Sequence, residues 1–386
     1  VVQGTGSGYG VATTGALGNV YYQTYSTTIK LNKNGEVVWG RRINPSNTQG
    51  LSLDSSENVY IAGSGSFFAA KYNSDGVIQW QRQLATNATV SSAQASVTNT
   101  IGTTYICGQY NTGGSDYPVV SCLDSSGNMV WSQYLTTPSS YYNGIGYSAS
   151  AGIAVAAGTY SGGAGVHVTA YAGGNGVVQW QRTITPTDGQ TMWGMGCTVD
   201  TSGNVYVSGM SGSTRHSFIV KYNSSGTMQW ARQLEIPGVY SYNDYATPGV
   251  DSAGNVYISF YQDNNNTDYP NYGGGFAKFN SSGTIQFIRK LNVIMGWLRM
   301  HVAPDSTVAI MGTAAVTKLK GDGSGLGAYS GFSYATSSLQ VTTPSFNYNT
   351  AGFSYANPGF SSVASSYSVT NQSVSAAVNY IGTEVG

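Results

Sequence analysis

Alternation at period two dominates this chain. In residues 78–84, Ile78, Trp80, Arg82 and Leu84 fall on one face of an extended strand, and Gln79, Gln81 and Gln83 fall on the other. Residues 228–234 repeat the pattern with Met228, Trp230, Arg232 and Leu234, and residues 285–291 with Ile285, Phe287, Arg289 and Leu291. Each of these strands follows a tight Asn/Asp-Gly turn, as in Lys71-Tyr-Asn-Ser-Asp-Gly76 and Lys221-Tyr-Asn-Ser-Ser-Gly226. The turn and its aromatic partner recur with Trp39, Trp80, Trp131, Trp180, Trp230 and Phe287 as anchors. The anchors lie roughly 50 residues apart, and a strand-patterned repeat of that length means repeated sheets.

The unit ending at Trp80 resolves into strands at 49–54, 59–63, 67–72 and 77–84, with an Asx turn at Asp54-Ser-Ser-Glu-Asn58. The same order returns in 193–234 and 246–291. Four-stranded antiparallel sheets at this spacing predict an all-β fold, a seven-bladed β-propeller. Six complete blades end at Ile43, Leu84, Leu135, Ile184, Leu234 and Leu291. The seventh, at 297–320, has three recognisable strands; its outer strand is to come from residues 326–334, the favoured source, or from the N-terminal 1–5. The propeller is therefore assigned to 1–336, and 337–386 form a Ser/Thr/Tyr-rich tail.

After Lys320 the tail has no Lys or Arg, and only Asp322 and Glu384 are charged. Its regular Tyr, Phe and Val oppose disorder, so extended strands are expected, paired with another subunit or laid along the propeller. Charged residues make up only 8% of the whole chain and net charge is zero, which removes nucleic acid and anionic membrane as electrostatic partners. Ser, Thr, Asn, Gln, Gly and 30 Tyr must then form the surface, a composition suited to a durable extracellular or particle-borne protein. No apolar run reaches the ~18 residues of a membrane span. The chain opens at Val1 without Met or signal-like segment, which is consistent with a start that was processed or trimmed and equally with preceding residues outside this sequence.

Cys107, Cys122 and Cys197 form no disulfide framework; buried free thiols are expected, with a cross-strand Cys107–Cys122 bridge as the alternative. His167, His216 and His301 fall on separate blades without ligand-like spacing, and no nucleophile elbow, phosphate loop or zincin motif occurs. Each Asp-x-x-Gly-Asn turn offers one carboxylate where a calcium site needs several oxygens. No catalytic residue, metal or cofactor is expected. Arg41, Arg82, Arg182, Arg232 and Arg289 each follow an aromatic by two residues. A ring of cationic sites is one reading, but stems packed beside the aromatic rings between blades, with heads on carbonyls, explain the pattern more simply. Where a blade has a turn-start Asp it also has a third-strand Lys, so contacts are expected for Asp54–Lys71, Asp200–Lys221 and Asp251–Lys278.

In an up-and-down blade the turns from strand one to two and three to four share one face, and the loops from two to three and from blade to blade share the other. The first set is short and monotonous; the second is varied and rich in Tyr and Asn. Candidate ligand contacts on that loop face are Tyr110, Asn111, Asp116, Tyr117, Tyr141, Tyr142, Asn143, Tyr240, Tyr242, Asn243, Asp244, Tyr261, Asp263, Asp268 and Tyr269. Tyr rings with Asn and Asp side chains suit a neutral, hydroxyl-rich ligand such as a glycan, and equally suit protein packing.

Asp200-Thr-Ser-Gly-Asn-Val-Tyr-Val-Ser-Gly209, followed by Lys221-Tyr-Asn-Ser-Ser-Gly226 and Gln229-Trp-Ala-Arg-Gln-Leu234, resembles the bacterial seven-bladed propeller repeat family. Residues 201–234 are also similar to repeats in tailed-phage virion proteins, and Lys318-Leu-Lys-Gly-Asp-Gly-Ser-Gly325 looks like their propeller–tail junction. The resemblance spans about residues 8–340 and implies a non-enzymatic structural or adhesion component of a virion: a tail fibre, baseplate or decoration protein. Its partners would be other virion proteins or copies of itself through the tail, and a host-surface glycan on the loop face. A secreted or cell-surface carbohydrate-binding propeller is the alternative. An enzyme with its site in the central channel lacks the acid, base or metal cluster it needs.

Overall fold

The structure is a computed structural model and describes residues 2–3, 10–44, 47–64, 67–84, 90–212, 216–235, 247–262, 273–292, 299–303, 306–311, 315–325, 327–329, 332–336, 340–342, 346–350, 355–356, 363–364, 368–371 and 377–378. It is a seven-bladed β-propeller, each blade built on four antiparallel strands that are successive in the chain in blades one to six. The sole helical element among the described residues is the turn Ser161–Gly163. In blade two the strands are Thr48–Leu53, Val59–Gly63, Phe68–Tyr72 and Ile78–Gln83, within a residue or two of the pattern read from the sequence.

Both faces of each sheet pack against a neighbour, so second strands such as Val59–Gly63 are buried at every position and read as continuous apolar runs. The core is divided among the seams between blades. One cluster joins Trp39 and Ile43 of blade one to Phe68, Ala70 and Tyr72 of blade two. Another joins Val155, Val166 and Val168 of blade four to Val205, Val207, Phe218 and Val220 of blade five. A bulge interrupts the pairing of third and fourth strands at one repeated place, between Lys71 and Tyr72, Lys221 and Tyr222, and Lys278 and Phe279. Such bulges add local twist.

Two features depart from or complete the sequence reading. The outer strand of blade seven is the N-terminal Val2–Gln3, in register with Val316 and Ala315. The favoured source, residues 326–334, instead forms with its neighbours a hairpin of Gly327–Tyr329 and Phe332–Thr336 on the edge of blade six. Blade six presents the longer edge, the eight residues of Ile285–Asn292 against the five of Ala315–Leu319, and the hairpin makes four residue pairs there.

The tail lies along the propeller as a belt. Phe332–Thr336, Gln340–Thr342, Phe346–Thr350, Tyr355–Ala356, Val363–Ala364 and Ser368–Asn371 pair in turn with the outer strands of blades six, five, four, three, two and one. Ala377–Val378 then pairs with Val2–Gln3, so both chain ends meet in blade seven. Every blade thereby gains at least one further antiparallel strand. An uncharged, alternating segment meets the unpaired N–H and C=O groups that each outer strand presents. No helix among the described residues is long and apolar enough to cross a membrane.

Candidate functional site

The recurring polar residues are engaged in the seams. Trp39, Trp80, Trp131, Trp180 and Trp230 each donate Nε1–H to a carbonyl in the third-to-fourth turn of the next blade, those of Ser74, Ser125, Gly173, Ser224 and Ser281, at 2.8–3.1 Å. Two residues on, Arg Nε donates to the turn glycine: Arg41 to Gly76, Arg82 to Gly127, Arg182 to Gly226, Arg232 to Gly283 and Arg289 to Gly323, at 2.6–3.2 Å. The guanidinium carbons sit 4.6–5.7 Å from their aromatic ring centroids. These arginines are therefore latches between blades, as the simpler reading held. Gly226 shows why the turn ends in glycine: φ is +74°, and a Cβ there would lie 2.7 Å from the Trp180 ring.

A second module fastens the first turn of blades two, five and six. Asp54 Oδ1 accepts from the N–H groups of Ser56 and Asn58, while Oδ2 accepts from Asn58 Nδ2 and from the Tyr60 hydroxyl at 3.0 Å. Asp200 and Asp251 repeat this with Tyr206 and Tyr257. Each Tyr lies directly across from a third-strand Lys, whose Nζ sits over the ring at 5.0 Å for Lys71, 5.4 Å for Lys221 and 5.0 Å for Lys278. The expected Asp–Lys approach appears in blade six, with Lys278 Nζ 3.9 Å from Asp251 Oδ2. In blades two and five no such ion pair forms among the described residues; Tyr60 and Tyr206 bond the carboxylate and carry the lysine over the ring, as Tyr257 also does. These carboxylates are surrounded by the protein's own donors, which agrees with reading the turns as structural.

Blade one has Gly15 where blades two, five and six have Asp, and a residue of blade two supplies the missing group. Glu57 Oε2 accepts from Tyr21 Oη at 2.7 Å and from Asn19 Nδ2 at 2.8 Å, its Oε1 accepts from the Leu17 N–H, and Lys30 Nζ stands 3.9 Å away. A Cβ on Gly15 would collide with Glu57 Oε1. Glu57 occupies the left-handed position, φ +56°, that glycine holds in Gly203 and Gly254. Burial alone would raise its carboxyl, but the bonds from Asn19, Tyr21 and Leu17 and the charge of Lys30 prevail and hold it below the usual carboxylate range.

The innermost strands line a central cavity of about 590 Å³ with apolar walls, among them Val11, Leu51, Val97, Ile145, Val199 and Val302. Arg299 of blade seven is buried, and its Nη1 donates across the channel to the carbonyls of Gln49 at 3.0 Å and Gln94 at 3.4 Å, on blades two and three. This bridge is not legible in the repeat pattern, because blade seven departs from it. His301 lines the same cavity, and burial pulls it down to about 4. His167 is enclosed in blade four beside the Tyr142 ring and pulled down by burial to about 3. Among the described residues no three His, Cys, Asp or Glu side chains gather as metal ligands.

On the opposite, loop face the candidates separate. Asn111 Nδ2 donates to Asp116 Oδ1 at 2.8 Å, and Tyr110 and Tyr117 meet the Tyr134 ring edge-on at 5.4 and 5.7 Å, so blade three holds a compact aromatic and amide cluster. Tyr141 is half-buried at the rim, and Asn143 donates to the Gly194 carbonyl at 2.6 Å. Tyr142 points the other way along the alternation: it is fully buried and its hydroxyl meets that of Tyr171 at 2.9 Å, so it offers no surface to a ligand. Tyr261 lies in the strand Val256–Gln262. Tyr240, Tyr242, Asn243, Asp244, Asp263, Asp268 and Tyr269 lie outside the described residues. Sequence reasoning passed over Trp193, half-buried at the same rim. Its signal was its position, away from the outer-strand place the anchoring tryptophans share.

No curated protein matches the sequence. Among solved structures, Kuenenia stuttgartiensis hydrazine synthase superposes with a TM-score of 0.61 at 11% identity, covering 80% of this chain and 94% of that one. The β-propeller domain of Cps50 (Swd1) from Myceliophteria thermophila gives 0.54 at 11% identity, covering 83% and 99%. At such identities the likeness is one of fold. Residues 25–260 match the family model for outer membrane protein assembly factor BamB; with more than half its length matched, the chain belongs to that family.

Proposed function

We propose that this propeller is a non-enzymatic structural and adhesion component of a tailed-phage particle, with its loop face turned outward to bind a glycan or protein. The observation that carries the reading is a division of labour. The repeated Trp, Arg, Asp, Tyr and Lys side chains are engaged within and between blades, which leaves the non-repeating Tyr- and Asn-rich loop face to vary. Support for the phage setting comes from the repeat resemblance at 201–234 and the charge-poor composition. In this reading the belt also joins the propeller to other particle proteins or to copies of itself, its strands standing at the outer limit of their sheets.

The test is whether the chain is found among the proteins of purified particles by mass spectrometry, and whether the isolated propeller adheres to host cells. Presence in the particle with saturable adhesion is expected. Absence from particles, with the chain secreted as a soluble monomer, would favour the second reading, a secreted or cell-surface carbohydrate-binding propeller supported by the same loop face.

A further inference from the structure

Trp193 stands apart from the other described tryptophans. Five of them clamp the seams at the turn end of the outer strands, whereas Trp193 lies at the loop end of an inner strand, Met192–Val199. Blade pairing fixes its equivalent next door. Tyr142 pairs with Gly158 and Gly194 with Gly209, and a bulge follows each at the same place. Tyr141 in blade four and Trp193 in blade five therefore hold the same rim position, and both are half-buried.

The surroundings hold the Trp193 ring in place and leave polar groups beside it. The loop of blade four bridges to blade five through Ala164 and Met192. Gly163, at φ +104°, lies so close that a Cβ would come within 3.3 Å of Trp193 Nε1. The backbone after the ring is held from both sides: the Gly194 N–H donates to Thr159 Oγ1 at 3.2 Å, and its carbonyl accepts from Asn143. The adjoining run 187–191 is exposed throughout and supplies two hydroxyls, one carboxylate and one amide, with no basic residue.

We propose that the rim where blades four and five meet binds a neutral saccharide, with the Trp193 and Tyr141 rings as stacking platforms. Half-buried aromatic rings suit the apolar face of a sugar, and Gln190 and Thr191 can exchange hydrogen bonds with its hydroxyls. Nothing within that run carries positive charge to pair with an acidic sugar, which favours a neutral one. This inference rests on the reading of the loop face as a binding surface and names its ligand class and place.

The experiment titrates the full chain with neutral hexasaccharides of β1,4-glucose, α1,4-glucose and β1,4-N-acetylglucosamine, followed by calorimetry and saturation-transfer NMR. At least one is expected to bind, with Trp193→Ala weakening it about tenfold or more. Trp193→Phe should retain most of the affinity, and Ile101→Ala, on the opposite face, should change nothing. Matching melting curves establish that the variants are folded. Binding unchanged in Trp193→Ala would overturn this site while leaving the loop face as a binding surface. No binding of any hexasaccharide by the native chain would overturn the saccharide proposal, and host-cell adhesion would then judge the broader reading separately.

Discussion

Glu57 of blade two accepts a 2.7 Å hydrogen bond from Tyr21 of blade one, and so stands in for the carboxylate that Gly15 cannot provide. Glu57→Gln should destabilise the fold by about 1–3 kcal/mol, because charge-assisted bonds from Tyr21, Asn19 and Leu17 are weakened or lost. The double variant Gly15→Asp with Glu57→Gly rebuilds the arrangement of blade five and should recover most of that loss. Chemical denaturation of the single and double variants measures it.

The same carboxylate sets an acid response. Glu57 and Asp251 are held below their ordinary range by donated hydrogen bonds that overcome burial. A lowered folded value means that their contribution is complete above the unfolded value, ~4, and is lost as pH falls through the folded one. Stability should therefore be level down to about pH 5 and decline below it. Glu57→Gln should show the shallower decline in urea titrations across that range.

The seams give a matched pair of substitutions. Gly226→Ala places a methyl 2.7 Å from the Trp180 ring at φ +74°, and should cost about 2–4 kcal/mol. Gly152→Ala, at φ +64° with open space around it, should cost about 1 kcal/mol from backbone strain alone. Equal melting temperatures for the two would contradict the packing assigned to the seam.

The sequence showed the blades because their determinants are local. Asn73-Ser-Asp-Gly76 makes its turn from its own side chains, and Trp80 and Arg82 recur at fixed offsets from it. What it hid depends on distant partners. The N-terminal segment could be named only as the less favoured of two sources for blade seven's outer strand, because two residues such as Val2–Gln3 carry little strand signal until Val316 and Val378 are beside them. Glu57 reads as an ordinary turn residue until the gap at Gly15 is seen, and Arg299 as an ordinary strand residue until blades two and three face it. At the loop face, period two placed Tyr142 beside Tyr141 without telling which one the sheet would enclose.

Cys107, Cys122 and Cys197 are free and buried, and burial raises all three thiols, Cys122 to about 12. Native protein at pH 8 should resist iodoacetamide at every cysteine, and denatured protein should take up three equivalents. Rapid modification of the folded chain would contradict the enclosed positions.

Removing residues 337–386 should leave a folded ring with softened outer strands. Amides of Val178–Pro186, which pairs with Phe346–Thr350, should exchange faster, while those of the inner strand Tyr141–Ser148 should keep their protection. Hydrogen exchange by mass spectrometry resolves the two segments. A change of molecular mass in size-exclusion chromatography on removing the tail would show that it also joins copies.

The most direct measurement of the doubly closed ring is a cysteine pair at its junction. Val2→Cys with Val378→Cys, and Gln3→Cys with Ala377→Cys, place thiols at facing positions of adjacent antiparallel strands. Closure in blade seven predicts that at least one pair oxidises to an intramolecular disulfide, seen as a monomer on non-reducing gels and as a cross-linked peptide by mass spectrometry. Cross-links found only between chains, or none in either pair, would contradict it.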